Sequence, residues 1–542
     1  MEYLYTSLWL LGGVGVLLIG VRILSDNLEK LANNKLRSLF DKSSKKKFVG
    51  VGVGTVATAI VQSSGLTTVM VVGLVNAGIM SLYQATTVIM GANIGTTITA
   101  QIAALESFDF TKFFPLFAFV GIFVDMFAKN DKVKSAGLMM AGLGLVFIGL
   151  KMMSGSLAEL DKENAITDML SYVKNPLLLL GLGLVLTAVT QSSSAITSVL
   201  IAMASAGIVV GGGGNSVLYI ILGTNIGSCV TALMSSIGSS ANARRASLIH
   251  LMFNVFGSLI FFIILLIFPT FMDSTFAVWF KGYPGTQIAM FHTAFNVICT
   301  ALFLPFTGVF VYISEKIIRD KEKDGTGKGS YLDKRLLSAP TVALDAADKE
   351  LASALNKAMS VFGGALSGFE HADTSETQNL EKQVEEVTEV CQSITDYLVK
   401  ISASGNTEHV EKDISARHHS VGDVIRVAEL GHNITKYTRR RVRYDLNFSE
   451  SVLVELEKMR QKLFEMYDNV TQLVLTKDLN ILPRTDELEN EVDDMRKRLL
   501  NEHIDRLNIG ECKAESSSVF VNLVNNMERI GDHLDYIAHA YD

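Results

Sequence analysis

"AIVQSSGLTTV", residues 59–69, places a glutamine and two serines inside an apolar stretch that has no charged residue over positions 48–105. A second copy, "AVTQSSSAITSV", covers residues 188–199 and lies in another charge-free stretch, positions 175–243. Each stretch is longer than the roughly 20 residues that one helix needs to cross a bilayer. The two copies therefore predict polar turns buried inside a membrane domain.

The character of the chain of 542 residues reverses near residue 320, where charged helical patterns replace apolar ones. We predict a transmembrane domain over residues 1–318, a linker rich in glycine and lysine over 319–338, and a soluble helical domain over 339–542. The charged residues, which sum to a net charge of −7, lie mostly in the last two parts. They provide no basic surface of the kind that binds nucleic acid.

An internal repeat organises the membrane domain. At a shift of 129 positions, "GVGVLLIGVRILSDNLEKL" (13–31) aligns with "GLGLVFIGLKMMSGSLAEL" (142–160), and the two Gln-Ser-Ser motifs align as well. After a three-residue insertion, "MGANIGTTITA" (90–100) aligns with "LGTNIGSCVTA" (222–232). Such self-similarity indicates a duplicated unit. The two repeats are predicted at about residues 8–135 and 136–314.

Loop charge predicts how the two repeats are oriented. Residues 22–47 carry eight lysines and arginines, whereas the equivalent residues 151–176 carry three lysines and four acids. Because basic loops stay on the cytoplasmic side, the first loop is predicted inside and the second outside. The repeats are then inverted, the N-terminus is external and the C-terminal domain is cytoplasmic. Inverted repeats are typical of secondary transporters, although channels are also built this way.

The polar motifs predict the local fold of each repeat. Non-helical backbone at membrane depth is tolerated only where protein or a watery cavity covers it. We therefore expect an all-α domain in which each repeat has a re-entrant helical hairpin with Gln-Ser-Ser at its tip. Beside each hairpin we expect a helix broken at Asn-Ile-Gly. The glycines of "GVGVG" (50–54) are interpreted as close helix-packing positions and not as a nucleotide loop.

The hairpin tips have a definite chemistry. Helices that start just after Ser64 and Ser193 direct free N–H groups and a positive dipole end at the cavity, which suits an anion. Glutamine, asparagine and hydroxyl oxygens, with non-helical carbonyls, suit Na⁺. The alternative is that the small polar residues only help helices to pack. Packing alone does not require a helix breaker and a glutamine at matched positions in both repeats.

The paired "QSS" motifs, each followed by G-[AT]-N-I-G-[TS], resemble the type II sodium–phosphate cotransporter family over about residues 8–318. The resemblance implies Na⁺-driven uptake of inorganic phosphate through inverted hairpins. In copy one, Gly65 stands where copy two has Ser194, so the two tips are expected to differ in hydrogen-bond donors. The family motif places substrate and ion binding at Gln62, Ser63, Ser64, Asn93, Gln191, Ser192, Ser193, Ser194 and Asn225. Neighbouring positions add Thr67, Thr68, Thr96, Thr97, Thr197 and Ser228.

Two further polar pairs lie in apolar segments, "HLMFN" (His250, Asn254) and "HTAFN" (His292, Asn296). The i, i+4 spacing places each histidine and asparagine on one helix face. Hydrogen bonding to neighbouring helices is the favoured interpretation. A proton-coupled or pH-sensitive element is the alternative.

The C-terminal part shows apolar residues at helical spacing, for example over residues 379–401 and 451–475. "IRVAELGHNI" (425–434) aligns with "ERIGDHLDYI" (528–537) at a shift of 103, so two three-helix units are expected. The segment resembles the PhoU-type phosphate-uptake regulators over about residues 335–542. That resemblance implies regulation, through phosphate status or contact with a partner or sister subunit. It also implies a possible metal at Glu429, Glu528 and Asp532, although a solvated or arginine-paired acidic face is favoured.

These observations predict a multi-pass protein of the cell membrane that is a transporter and not an enzyme. The leading hypothesis is Na⁺-coupled symport of inorganic phosphate by alternating access, regulated by the C-terminal domain. A phosphate channel or exporter is the first alternative, and a membrane-tethered phosphate sensor is the second.

Overall fold

The computed structural model describes residues 2–41, 46–108, 112–162, 165–319, 331–403, 408–509 and 514–542. All regular structure in these residues is helical, as predicted, and they contain no β-strand. The chain forms two compact units, Met1–Gly329 and Ser330–Asp542. Most of the predicted linker falls on residues 320–330, outside the described ranges.

The first unit is built from apolar helices. Six helical segments are long and apolar enough to cross a membrane: Tyr3–Leu28, Leu82–Ser107, Asp131–Leu160, Ser216–Ser235, Ala241–Ile267 and Pro284–Ile317. Its α-helices are α1 Glu2–Asp41, α2 Lys47–Val61, α3 Ser64–Asn76, α4 Leu82–Gly95, α5 Thr97–Ala104, α6 Pro115–Phe127, α7 Asp131–Leu160, α8 Ala165–Ser171, α9 Pro176–Thr190, α10 Ser193–Ser205, α11 Ser216–Ser235, α12 Ala241–Ile267, α13 Phe271–Ser274, α14 Phe276–Trp279, α15 Pro284–Phe303 and α16 Thr307–Ile317.

Two helical hairpins, α2–α3 and α9–α10, contain the Gln-Ser-Ser motifs at their turns. In each hairpin the first helix has 15 residues and the second has 13. At 1.5 Å per residue these helices are about 22 and 20 Å long. Both are shorter than the roughly 30 Å hydrocarbon core of a bilayer.

The first helices of the two repeats, α1 and α7, pack closely through glycines. A Cβ atom on Gly20 would lie 2.6 Å from the backbone nitrogen of Val146, and one on Gly149 would lie 2.5 Å from that of Leu17. At the 129-residue shift Gly20 is equivalent to Gly149 and Leu17 to Val146, so the two contacts are equivalent. The contact is therefore reciprocal, as across a two-fold axis. Because position 20 meets 146 and position 17 meets 149, the two helices run antiparallel.

A second repeated contact joins each hairpin to the helix that follows it. A Cβ on Gly91 of α4 would lie 2.0 Å from the Val51 carbonyl oxygen of α2. A Cβ on Gly223 of α11 would lie 2.0 Å from the Leu180 carbonyl oxygen of α9. Small residues allow such close helix approach. The close packing predicted for the glycines of residues 50–54 is found at Gly50 and Gly54 but not at Gly52, which faces open space; a Cβ on Gly54 would lie 1.9 Å from the Val88 carbonyl oxygen of α4.

The expected break at Asn-Ile-Gly is wrong in the second repeat. Helix α11 continues from Ser216 to Ser235 through Asn225 and Gly227. In the first repeat only Thr96 separates α4 from α5, and its backbone is still right-handed helical, at φ −64° and ψ −22°. The glycine of this motif packs against the hairpin, because a Cβ on Gly227 would lie 2.6 Å from the Leu184 carbonyl oxygen.

The second unit contains two successive sets of three helices. They are α17 Pro340–Glu370, α18 Thr377–Ser402, α19 Glu408–Arg443, α20 Glu450–Thr476, α21 Leu482–Asn508 and α22 Ala514–His539. Their apolar faces bury residues such as Phe362, Phe369 and Phe520. The buried Asp348 carboxylate lies 2.8 Å from Arg417 Nη2 and 2.7 Å from Lys477 Nζ, and it accepts a hydrogen bond of 2.7 Å from the Tyr541 hydroxyl. This cluster ties the C-terminal end of the chain to the bundle core.

Candidate substrate and ion site

Each Gln-Ser-Ser turn has the same unusual backbone conformation. Helix α2 ends where Gln62 adopts φ 58° and ψ 16°, and α9 ends where Gln191 adopts φ 54° and ψ 25°. This left-handed region costs a side-chain-bearing residue about 1 kcal/mol. The next residue is extended in both copies, at φ −145° for Ser63 and −142° for Ser192. The match in conformation indicates that both copies preserve one particular turn.

The serine after each glutamine is the N-cap of the following helix. Ser63 Oγ accepts a hydrogen bond of 3.2 Å from the Leu66 N–H, and Ser192 Oγ accepts one of 3.2 Å from the Ala195 N–H. A helix start has four N–H groups without intrahelical partners, and the cap satisfies one of them. The remaining N–H groups of α3 and α10 provide the donors and positive dipole ends that an anion requires.

The two turns line a single cavity of about 270 Å³. Helix α1 supplies part of the wall through Arg22, Ser25 and Asp26, which the sequence analysis had not assigned to the site. Among the predicted site residues, the cavity is lined by Gln62, Ser63, Ser64, Thr96, Gln191, Ser192, Ser193, Ser194 and Ser228. The other predicted residues do not line it: Thr67, Thr68, Asn93, Thr97, Thr197 and Asn225.

The bases of the two hairpins lie at opposite ends of one helical segment. The first hairpin ends at Asn76, shortly before the segment Leu82–Ser107 begins. The second hairpin ends at Ser205, whose hydroxyl lies 3.5 Å from that of Ser107. The segment has 26 residues, or about 39 Å at the helical rise. The tips thus meet at one cavity while their bases are far apart.

The two tips are not equivalent in their surroundings. Gln62 is only 6 % exposed, and its Oε1 accepts a hydrogen bond of 2.8 Å from Thr99 Oγ1. Gln191 is exposed, and no equivalent bond joins it to Thr231, although the structure describes both residues. The first tip is therefore held by α5, whereas the second is open on that side.

Buried hydroxyl groups lie close to the tips in sequence. Thr58 and Thr187 are one helical turn before the glutamines, and Thr68 and Thr197 are one turn into the following helices. All four side chains are fully buried, and their hydroxyls have no hydrogen-bond partner among the described residues. Thr58 and Thr187 were not among the site residues predicted from the sequence. Their equivalence was visible in the sequence, because the 129-residue shift aligns Thr58 with Thr187.

Comparison with known proteins identifies the membrane unit. Residues 16–155 and 150–320 both match the family model described as Na⁺/Pi-cotransporter, and together they cover more than half of the chain. The chain belongs to the Na⁺/Pi-cotransporter family. Residues 456–540 match the PhoU domain. Both predicted resemblances are confirmed.

The relatives of this Na⁺/Pi-cotransporter family member differ in how much of the chain they share. YjbB of Salmonella typhimurium, provisionally named as an inorganic phosphate export protein, is 25 % identical over 545 aligned residues, 99 % of this chain and 97 % of YjbB. YqeW of Bacillus subtilis, which is uncharacterised, is 30 % identical over 309 residues, 56 % of this chain and 95 % of YqeW. Human sodium-dependent phosphate transport protein 2B is 35 % identical over 98 residues, 18 % of this chain and 14 % of that protein. No solved structure gives a significant match.

The asparagines of the family motif have similar local bonds but different neighbours. Asn93 Nδ2 donates to the Ile89 carbonyl at 2.9 Å, and Asn225 Nδ2 donates to the Ile221 carbonyl at 2.8 Å. Asn225 Oδ1 also lies 3.4 Å from both His292 Nε2 and Asn296 Nδ2. The second repeat therefore ties its motif asparagine to α15.

The predicted role of the histidine–asparagine pairs in joining helices is confirmed for three of the four side chains. His292 and Asn296 join α15 to Asn225, and Asn254 Nδ2 donates to Cys229 Sγ at 3.3 Å, which joins α12 to α11. His250 is fully buried, and neither ring nitrogen has a partner among the residues that the structure describes. The hydrogen bond predicted for the His250 ring is therefore not observed.

The predicted metal ligands of the PhoU-like unit receive no support. The Glu429 carboxylate pairs with Arg426 at 2.6 Å on an exposed surface, and Glu528 lies 3.2 Å from Arg496 Nε. Burial and then the neighbouring Asp532 carboxylate raise the pKa of Glu528. Among the described residues, the only grouping that could hold a metal is a different and partly exposed trio, Asp486, Asp535 and His539. The arginine-paired interpretation fits Glu429 and Glu528 better.

Proposed function

We propose that the chain carries inorganic phosphate across the cell membrane in symport with Na⁺, by alternating access. The observation that supports this proposal most is the single cavity lined by both Gln-Ser-Ser tips. A secondary transporter needs one substrate site at the interface of its two halves. Membership of the Na⁺/Pi-cotransporter family supplies the substrate class.

Phosphate binds in this proposal between the two helix starts. Ser64 and Ser193 are the first residues of α3 and α10, and both line the cavity. Their hydroxyls and the free N–H groups beside them give neutral donors, which preorganised helix dipoles reinforce. Ser194 adds a hydroxyl at the second tip where Gly65 adds none. The second tip therefore offers more hydrogen-bond donors, while the first tip is held more rigidly.

Na⁺ binds behind the tips in this proposal. Hard cations prefer oxygen ligands, and each repeat buries, at two positions matched by the 129-residue shift, threonine hydroxyls that have no other described partner. Thr58 and Thr68 serve the first repeat, and Thr187 and Thr197 serve the second. An unpaired buried polar group costs free energy, and coordination of a cation removes that cost. Na⁺ bound there also offsets the cost of placing an anion between the tips.

Two contacts support an inverted arrangement of the halves. Helices α1 and α7 meet in reciprocal, antiparallel fashion through Gly20 and Gly149, and the bases of the hairpins lie at opposite ends of Leu82–Ser107. Inverted halves allow the same site to be exposed alternately to either side as one half moves against the other. The re-entrant form of the hairpins follows from helices too short to span the bilayer.

The distribution of basic residues orients the molecule. Residues 22–47 carry the basic excess, so this end of α1 is placed in the cytoplasm. Arg22 and Asp26 belong to this end and line the cavity. In the proposed orientation the cavity is therefore open to the cytoplasm. The same rule places the N-terminus outside. The PhoU-like unit, which follows the last membrane helix, then lies in the cytoplasm and regulates transport.

Phosphate export is the second candidate, and the specific observation in its favour is similarity along the full length to YjbB. The binding chemistry at the tips is the same for both directions. Direction depends on the gradient to which transport is coupled. An experiment on this protein must therefore measure flux both ways.

The test uses purified full-length protein in proteoliposomes with ³²P-phosphate on either side. Gradients of Na⁺, K⁺ and H⁺ are imposed in turn, and the expected result is phosphate flux that follows the Na⁺ gradient alone. Ser64→Ala and Ser193→Ala are each expected to lower the initial rate at least tenfold, about the loss of one charge-assisted hydrogen bond. Gly52→Ala and Gly181→Ala, equivalent positions with open space around them, are the matched controls.

Three other outcomes would contradict the symport proposal in different ways. Equal flux under all gradients would indicate a channel. Flux only from the lumen that corresponds to the cytoplasm would indicate an exporter. Phosphate binding without flux would indicate a sensor. Deletion after residue 318 tests the regulatory role, and unchanged rates and unchanged response to internal phosphate would remove it.

A further inference from the structure

Two charged side chains line the cavity among its described wall residues, and both come from α1. Arg22 and Asp26 lie one helical turn apart, on either side of Ser25 in sequence. Ser25 Oγ donates a hydrogen bond of 2.6 Å to the Val61 carbonyl, the last residue of α2 before the first tip. This bond fixes the α1 segment against the tip. The two charged residues are therefore held at the edge of the anion site and do not merely project from a distant loop.

Arg22 and Asp26 form only a loose ion pair with each other. Their closest atoms, Arg22 Nε and Asp26 Oδ2, are 3.8 Å apart, and the side chains are 83 % and 57 % exposed. Exposed pairs of this kind contribute little free energy and break easily. Either group can therefore turn to a ligand that enters the cavity. The guanidinium is suited to an oxyanion, because its planar donors match two oxygens at once.

A carboxylate in an anion cavity has a different consequence. The oxygens of an aspartate carboxylate group only accept hydrogen bonds, so they repel an oxyanion that carries no proton. At neutral pH inorganic phosphate retains a hydroxyl group that can donate to the carboxylate, whereas sulfate has none. We propose that Asp26 selects protonated tetrahedral oxyanions over unprotonated ones, with Arg22 balancing its charge. This inference rests on the proposed function only in placing the anion between the hairpin tips.

The repeat shows that this pair is confined to one side of the cavity. The 129-residue shift aligns Arg22 with Lys151 and Asp26 with Gly155, and neither residue of the second repeat lines the cavity. Among the described wall residues, the second repeat thus contributes no counterpart to Asp26. Lys151 is exposed and belongs to the equivalent turn of α7, so it provides a matched control for charge removal.

The experiment is an equilibrium competition on purified full-length protein. Bound ³²P-phosphate is displaced by arsenate, which is protonated like phosphate, and by sulfate. In the unsubstituted protein, arsenate is expected to displace phosphate at concentrations at least tenfold lower than sulfate. Asp26→Asn is expected to improve competition by sulfate about tenfold, because the repulsion is removed and the amide can donate. Asp26→Glu is expected to retain discrimination, and Lys151→Gln to behave as the unsubstituted protein.

Two results would overturn the inference. One is an Asp26→Asn variant that binds phosphate and shows the original ratio of sulfate to phosphate affinity. The other, which needs no substitution, is equal competition by arsenate and sulfate in the unsubstituted protein. Because the experiment measures binding, it tests the selectivity of Asp26 even if the protein binds phosphate without carrying it. That behaviour would contradict only the symport proposal.

Discussion

Thr99 Oγ1 of α5 donates a hydrogen bond of 2.8 Å to Oε1 of Gln62, the residue at the turn of the first hairpin. The amide nitrogen of Gln62 donates to the Ala59 carbonyl at 2.9 Å, so both ends of the amide are held. The neighbouring helix, and not the hairpin alone, therefore fixes the first tip. The second tip has no such support from Thr231 among the bonds of the described residues.

Thr99→Val is expected to weaken phosphate binding about tenfold. The substitution keeps the side-chain shape and leaves Gln62 Oε1 buried without its donor, at a cost of about 1–3 kcal/mol. The measurement is the phosphate concentration for half-maximal binding. Thr231→Val, at the equivalent position, is the control and is expected to change it less than twofold. Equal effects of the two substitutions on phosphate binding would mean that the difference between the two tips does not affect binding.

Substitutions at Ser63 are expected to separate folding from binding. Ser63→Ala removes the N-cap and is expected to cost about 1 kcal/mol of stability. Ser63→Asp keeps a capping oxygen but places a negative charge at the proposed anion site. It is expected to retain the midpoint of thermal unfolding and to lose phosphate binding by more than tenfold. Both quantities are measured on the same detergent-solubilised protein. Strong phosphate binding by Ser63→Asp would contradict an anion site at this helix start.

Gly91→Ala and Gly223→Ala are both expected to destabilise the membrane unit. The new methyl group would lie 2.0 Å from a carbonyl oxygen of the neighbouring hairpin helix, which cannot move without separating the helices. Overpacking of this severity costs about 1–3 kcal/mol or more. The yield of folded protein and its thermal midpoint provide the measurement. Gly52→Ala and Gly181→Ala, which meet open space, should leave both unchanged.

Asp348→Asn is expected to destabilise the PhoU-like unit by about 3–5 kcal/mol, because Arg417 and Lys477 would lose their buried counter-ion. Burial alone raises the pKa of Asp348, but the charges of Arg417 and Lys477 outweigh it and hold the pKa below the ordinary value of 3.8. A lowered pKa in the folded protein stabilises it above the ordinary value, and the contribution is lost as pH falls through the folded pKa.

The matching measurement is hydrogen exchange of α17 and α19 in the full-length protein, corrected for the intrinsic pH dependence of exchange. Protection is expected to decline below about pH 3.8 in the unsubstituted protein and to lack this step in Asp348→Asn. Asp494→Asn serves as the control, because its carboxylate is 80 % exposed and lies 3.5 Å from Lys497. It should change stability by less than about 0.5 kcal/mol.

The sequence was sufficient to predict the turns because the motif and its duplication are local. Gln62 and Gln191 interrupt apolar helices at positions related by the repeat, and both adopt the left-handed conformation that ends a helix. The sequence was not sufficient to predict the backbone at Asn-Ile-Gly, because a glycine in a membrane helix can either interrupt the helix or let a neighbouring helix pack closely. Gly95 and Gly227 serve close packing against the hairpins. Helix α11 is continuous through the motif, and Thr96, the one residue between α4 and α5, keeps right-handed helical angles.

The residues of α1 that line the cavity could not be predicted from the motifs, for a different reason. Arg22 and Asp26 are separated from the first tip by about 40 residues, and only the packing of α1 on α2 brings them to the site. Thr99 is missed for the same reason, since its hydrogen bond to Gln62 crosses between helices. Local patterns predict which residues form a turn, whereas tertiary contacts decide which other residues line it.

The glycine seam between α1 and α7 bears on the origin of the chain. Because residue 20 meets 146 while 149 meets 17, the seam is self-complementary, and a half-length chain could have formed it with an identical copy packed antiparallel to it. Fusion of two such copies would free each to diverge. Asp26 and Gly155 occupy equivalent positions in the two repeats. Two identical ancestral subunits could not have differed at this position.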